Sequence, residues 1–307
     1  MPEKPRITVV GSYNTDLVVR TPRLPNQGET ILGGPFFSGP GGKGANQAVA
    51  AARLGAQVRM VAKLGNDHFG DMAVENLRRE GIGEDYIFRS DASHTGVAFI
   101  IVDDTGENVI VVASGTNSHL TPADIDTAHQ VITDADVVLF QLESPLETVQ
   151  YAIDVAHEAG VTVLLNPAPG RVLHPELLRK VDILTPNQTE AEIITGLRIS
   201  TLRQAENAAD ALLSLGVQTA VMTLGADGAL VATNQGKHIV PSYRVEVVDT
   251  TGAGDAFNGA LAVAVAEGKS LDRAVAFANA AAALQVTKVG TAPAMPRRDE
   301  VEKLLNA

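Results

Sequence analysis

From about Ala135 onward the chain alternates short apolar runs with segments of helical period, and this alternation limits the folds open to it. Runs of strand length stand at Asp136–Leu142, Val161–Leu165, Val181–Leu184, Ala220–Leu224 and Ala229–Ala232. Strands buried on both faces read as unbroken apolar runs, and helices between them imply parallel neighbours joined by crossovers. Helix signals punctuate the runs. Ser144-Pro145-Leu146-Glu147 reads as a capping box with proline at the first position. Thr201 with Gln204, or Ser200, opens a later helix, and Gly160 and Gly216 stand where helices stop. The expected fold is α/β, a mostly parallel central sheet flanked by helices.

Each run ends on polar residues: Gln141 to Glu143, Asn166-Pro167, Thr185-Pro186-Asn187, and Thr223-Leu224-Gly225. Ligands of open parallel sheets bind beyond the carboxyl ends of the strands, so these side chains are expected to converge on one edge. The first third reads differently. Gly96–Val102 and Asn108–Val112 flank Asp103-Asp104-Thr105-Gly106-Glu107, a hairpin signal, and Asn14–Phe37 is strand-like. Two helical segments, about Gly44–Leu54 and Phe69–Arg79, lie between. The expectation is one domain over 1–307 with a small β lid formed by about 12–37 and 95–113.

Charge and composition narrow the ligand. The formal charge is −12, from 36 acidic against 24 basic residues, and such a field repels a nucleic-acid backbone. A small nucleotide remains open to it, because local amides and a metal ion bind an anion regardless of net charge. The absence of cysteine removes disulfides, thiolate zinc sites and a cysteine nucleophile, and fits a reducing compartment. Met1–Arg6 runs straight into the apolar Ile7–Val10 without a signal-peptide core, and no stretch approaches the roughly 18 apolar residues of a membrane span. A cytoplasmic protein is expected, with neither membrane nor nucleic acid as partner.

Two glycine clusters carry the chemistry. In Val247-Val248-Asp249-Thr250-Thr251-Gly252-Ala253-Gly254-Asp255 an apolar strand end meets a glycine turn and then a helix reaching Glu267. The amides of Gly252, Ala253, Gly254 and Asp255 are left at a helix N-terminus, where dipole and donors favour an anion. Amides on a phosphoryl group beside a carboxylate that accepts a hydroxyl proton make a phosphoryl-transfer arrangement. A bare Gly-x-Gly-Asp reads equally well as a turn with an aspartate cap; the longer context favours the anion site. Because a helix N-terminus stabilises a carboxylate, Asp255 is expected to be a weak base that takes its proton late.

The second cluster is Ser38-Gly39-Pro40-Gly41-Gly42-Lys43-Gly44-Ala45-Asn46-Gln47-Ala48. Gly39, Gly41 and Gly44 match the dinucleotide pattern, and Asp67 follows at a suitable distance, but Gly33–Phe37 is no buried parallel strand and Asp67 stands in a turn. Lys43 is followed by Gly44 and not by Ser or Thr, so this is no Walker loop. A tight loop before a helix, offering Gly42, Lys43 and Asn46 to a polyhydroxyl ligand, suits the residue types better.

Taken together, the two clusters resemble the signatures of the PfkB carbohydrate kinase family, at Gly39–Gly55 and Asp249–Gly259. The resemblance extends over essentially the whole chain through Gly11-Ser12-Tyr13-Asn14-Thr15-Asp16, Gln141-Leu142-Glu143, Asn166-Pro167-Ala168-Pro169 and Thr185-Pro186-Asn187-Gln188-Thr189-Glu190. It implies ATP-dependent phosphorylation of a small sugar, D-ribose at O5 before deoxyribose, fructose or a nucleoside, and a homodimer formed lid on lid. A nucleoside pocket asks for aromatic residues, and these make up only 4% of the chain. By the same resemblance Asn14, Asp16, Gly42, Lys43, Asn46 and Glu143 would bind the sugar. Asp255 would be the base and Gly252 to Gly254 the anion hole. Thr223, Gly225, Gly228, Gly254 and Asn279 would line the nucleotide, although Thr223–Gly228 unaided reads as a hairpin turn. Asn187 and Glu190 would act near the phosphates and Mg²⁺, although Asn-x-x-Glu is also a capping box.

The family further implies a monovalent cation, usually K⁺, beside the anion hole. Asp249 and Thr251 match, with Gln285, Lys288 and Gly290 through their backbones. Where a serine hydroxyl would complete the set, this chain has Ala294.

Overall fold

The computed structural model describes residues 3–306; Met1, Pro2 and Ala307 of the expected domain lie outside the described residues. In chain order the strands are β1 (Arg6–Val10), β2 (Asn14–Thr21), β3 (Phe36–Gly41), β4 (Gln57–Gly65), β5 (Gly83–Ser90), β6 (Gly96–Asp103), β7 (Asn108–Ala113), β8 (Val137–Phe140), β9 (Thr162–Leu165), β10 (Ile183–Leu184), β11 (Thr219–Thr223), β12 (Ala229–Thr233) and β13 (Gly236–Val240). Nine of them form one sheet in the order β13-β12-β11-β10-β9-β8-β1-β4-β5, parallel except for the antiparallel β11-β12-β13 edge. The remaining four form a second sheet, β3-β2-β6-β7.

The apolar runs divide between two cores, one on each face of the large sheet. Val9 and Leu139 pack with the helices Lys43–Arg53, Ala253–Ala266 and Leu271–Gln285, while their neighbours Val10 and Phe140 pack with Leu146–Glu158, Gln188–Thr195 and Leu202–Ser214. This is the period-two alternation of a strand buried on both sides. The strand ends then deliver Gln141, Asn166, Thr185 and Thr223 to a common edge, as expected.

Two local expectations are corrected. Ser144 is not a helix cap. Pro145 takes that position with extended backbone and caps through no side chain, and the Ser144 hydroxyl is buried without a partner. Thr201 does cap its helix, accepting from the Gln204 amide. Ser38 to Gly41 is not a loop but the end of β3, which pairs antiparallel with β2 at the edge of the small sheet, where proline and glycine are tolerated. The small sheet therefore runs over 14–41 and 96–113. Two strands without a counterpart in the expectations, β4 between the two early helices and β5 after the second, belong to the large sheet and extend it past β1.

Candidate active site

The glycine turn at 249–255 is held from below. Asp249 Oδ1 accepts the Thr251 amide at 2.9 Å and Oδ2 accepts the Gly290 amide at 2.9 Å. Gly252, with φ +77, starts the helix Ala253–Ala266, and no side chain caps that start. The Ala253 amide is spent on the Thr250 carbonyl at 3.3 Å, so the expected anion hole narrows to the amides of Gly252, Gly254 and Asp255.

Asp255 is buried, and both its oxygens are engaged: Asn46 Nδ2 donates to Oδ2 at 2.9 Å and Gln47 Nε2 to Oδ1 at 3.0 Å. Burial pushes its carboxyl up from the ordinary range, against the pull of Lys43 and the two amides, with Glu143 adding to the rise. The weak base expected from the helix dipole is therefore corrected toward a stronger one. Gln47 was not anticipated. It also contacts Asn166 Oδ1 at 3.2 Å and accepts from Gln141 Nε2 at 2.6 Å, so a buried amide chain orients the carboxylate from the far side.

The expected sugar residues gather beside it. The Ser12 hydroxyl and the Lys43 amide both donate to Glu143 Oε2, at 2.5 and 2.9 Å, which leaves Oε1 without a bond to either. Asn117, absent from the sequence reading, donates to Asn14 Oδ1 at 2.8 Å, so the Asn14 amide hydrogens are the part left for a ligand. Asn46 presents a buried, unpartnered Oδ1, its amide hydrogens having turned to Asp255. Asp16 accepts from the Thr291 hydroxyl at 3.2 Å, and burial drives its carboxyl up to about 6, with Glu143 and Asp255 contributing. Lys43 is held protonated above its usual range chiefly by Asp255. Gly42 and Gly44 let the helix start lie against β1 and β2. A Cβ on Gly42, at φ +87, would come within 2.6 Å of the Asn14 amide nitrogen, and one on Gly44 within 2.6 Å of Ser12 N. Gly42→Ala is therefore expected to cost about 1–3 kcal/mol of stability and to raise the acceptor KM, readable by melting and steady-state kinetics.

On the other side of the helix start opens a cavity of ≈ 590 Å³. Thr223, Gly225, Gly228, Gly254 and Asn279 all line it, and Tyr243, Val245, Phe257, Ala283 and Val286 give it apolar walls. Thr223 to Gly228 is at once hairpin turn and wall. A Cβ on Gly228, at φ +97, would press to 2.7 Å from the Ser242 amide nitrogen. Asn279 spends its amide on the carbonyls of Val240 and Pro241, at 2.9 and 3.2 Å, and so pins the wall segment that follows β13. Asn187 and Glu190 do not line this cavity. They form a reciprocal capping box at the start of the helix Gln188–Thr195. Glu190 is nonetheless buried close enough to Lys43 and Asp255 to feel both, and burial raises its carboxyl. A buried carboxylate beside the anion turn fits a divalent ion arriving with phosphates, since Mg²⁺ takes one or two carboxylates besides the substrate's oxygens.

A family model described as pfkB family carbohydrate kinase matches residues 4–298. The chain belongs to this family. Among relatives of this pfkB kinase, the ribokinase of Bacillus subtilis is 44% identical over 98% of this chain and 99% of its own length. That of Haemophilus influenzae is 43% identical over 97% and 98%. The structure of Arabidopsis thaliana ribokinase complexed with ribose and ATP superposes with a TM-score of 0.93 at 35% identity, covering 99% of this chain and 100% of that one.

One part of the expected site does not fit its ion. In this pfkB kinase both Asp249 oxygens already accept backbone amides, and the Gln285 carbonyl accepts the Lys288 amide at 3.2 Å. The Thr251 and Gly290 carbonyls accept Gln285 Nε2 at 3.0 and 2.8 Å. The Lys288 side chain points to Glu300, and Ala294 supplies no hydroxyl. The shelf is there, but its oxygens, the Lys288 carbonyl apart, face donors.

Proposed function

We propose that the chain transfers the γ-phosphoryl group of ATP to O5 of D-ribose, giving D-ribose 5-phosphate and ADP. The observation that carries this reading is the placement of Asp255. Its carboxylate stands at a helix start with free amides, between a small cradle of buried polar groups and an apolar-walled cavity. Asn14, Asp16, Asn46 and Glu143, with Lys43, supply hydrogen-bonding groups scaled to a free pentose. The relatives named above are ribokinases, and the Arabidopsis structure holds ribose and ATP.

In this reading the sugar hydroxyl lies against Asp255, which accepts its proton, and the amides of Gly252, Gly254 and Asp255 receive the charge on the transferring phosphoryl. Such catalysis rests on positioning and preorganised donors. Mg²⁺, bound with ATP near Glu190, would neutralise phosphate charge. The small sheet closes over the sugar and keeps water from the phosphoryl group. The work is placed in the cytoplasm, where ATP is; among the described residues no helix is long and apolar enough to cross a membrane.

The small sheet also supports a homodimer. Phe99 lies opposite Val111 across β6 and β7, on the face away from Asn14 and Asp16, and the two are 53% and 60% exposed. Apolar strand faces of this kind are covered by a partner in stable proteins. Val111→Asp is expected to turn a sedimenting dimer into monomer; a parent chain that is monomeric at micromolar concentration would refute this part. The reaction itself is tested by ADP release with ribose, deoxyribose, fructose and adenosine. Ribose should give the highest kcat/KM; a better acceptor among the others would reassign the substrate, and no ADP release with any would overturn the reading.

A further inference from the structure

The misfit at the cation shelf has a definite occupant. Gln285 ends the helix Leu271–Gln285 and is fully buried. Its Nε2 stands 3.0 Å from the Thr251 carbonyl, 2.8 Å from that of Gly290 and 3.2 Å from that of Thr291. Carbonyl oxygens converging on one point are what a potassium site offers in place of the ion's water. Here that point is filled by an amide –NH₂, which has two hydrogens to share among three oxygens.

We infer that the Gln285 side chain replaces the monovalent cation, so that this kinase turns over without K⁺. The Thr251 carbonyl belongs to the peptide that carries the Gly252 N–H. A donor on that oxygen fixes the peptide plane and polarises it, which aims and strengthens the Gly252 amide in the anion hole. Gln285 lies directly beneath, since a Cβ on Gly252 would come 3.1 Å from its Nε2. The same nitrogen ties in Gly290, whose amide holds Asp249, and Thr291, whose hydroxyl reaches Asp16. One neutral group thus secures the contacts an ion would secure by charge. The arrangement has a visible cost: Gln285 Oε1 is buried without a partner. A hydrophobic residue of similar size would avoid that cost and lose the donors.

The inference rests on the kinase reading, and the test separates the two. Parent enzyme and Gln285→Ala are assayed for ADP release in rising KCl, with choline chloride keeping ionic strength constant, and both are melted in the same series. The parent rate is expected to be flat in KCl. Gln285→Ala in choline should lose about 10²-fold, as when one oxyanion donor is removed, and should recover with KCl. In the melts KCl should stabilise the variant over choline and leave the parent unmoved, because only an ion bound to the native state shifts the transition. Several-fold activation of the parent by KCl, or a KCl-specific rise in its melting temperature, would overturn the inference, as would a variant fully active in choline. The melts need no turnover, so a chain inactive on ribose fails the kinase reading without deciding this one. If the variant does not fold, the parent's response alone decides.

Discussion

Asp255→Asn is expected to lower kcat by about 10²–10⁴-fold, the usual worth of a positioned base, with little change in the affinity for ATP. Burial holds the native carboxyl above its ordinary range, so the proton transfer lost is a favourable one. Asparagine also breaks the geometry. Both oxygens accept side-chain amides, and the new –NH₂ would face one of those donors. Gln47 cannot turn over to meet it without losing the hydrogen it accepts from Gln141. Steady-state kinetics together with nucleotide titration separate the two effects; turnover within a few-fold of the parent would remove Asp255 from the chemistry.

Asp16→Asn should stabilise the fold while weakening the binding of the acceptor. Burial lifts the Asp16 carboxyl from 3.8 to about 6 in the folded chain. The native state therefore holds its proton more tightly than the unfolded one, and stability falls as pH rises through that window. Above about pH 6 the full penalty applies, (6 − 3.8) × 1.36 or about 3 kcal/mol as an order of magnitude. Asparagine keeps an acceptor for Thr291 and carries no such penalty. The variant is expected to melt several degrees above the parent at neutral pH, the gap closing as pH drops from about 6 to 4. Its sugar KM should rise by about one to two orders of magnitude, since a charged hydrogen bond to a hydroxyl is worth roughly 1.5–3 kcal/mol. A variant no more stable than the parent at neutral pH would show that the carboxylate is not strained by burial. This is the familiar exchange of stability for a prepared site.

The second half of the fold was legible because its strands are buried on both faces and read as uninterrupted apolar runs. β4 hid because Arg59 and Lys63 break its run; Lys63 is neutralised by Asp124 at 2.7 Å, a partner that sequence does not reveal. β13 is a polar, exposed edge and carries no core signal. At the site, the glycines and acids were readable because few residue types suit a turn or a proton transfer. Gln47, Asn117 and Thr291 were not, since a lone amide or hydroxyl reads as solvated until folding brings a distant partner to it. Gln285 was read only for its carbonyl as a cation ligand, and its side chain stands instead where the ion had been expected.

In the proposed reading, part of the acceptor cradle and the transfer machinery rest on different layers of the fold. Asn14 and Asp16 ride on β2 of the small sheet, whereas Asp255 starts the helix Ala253–Ala266, which packs on the large one, and Asn46 and Thr291 join the two. The enzyme is in that sense modular. If the proposed sugar contacts hold, changes along β2 and β3 would redraw which sugar is accepted while the transfer machinery stays intact, and the residues least open to such drift would be the two that span the joint.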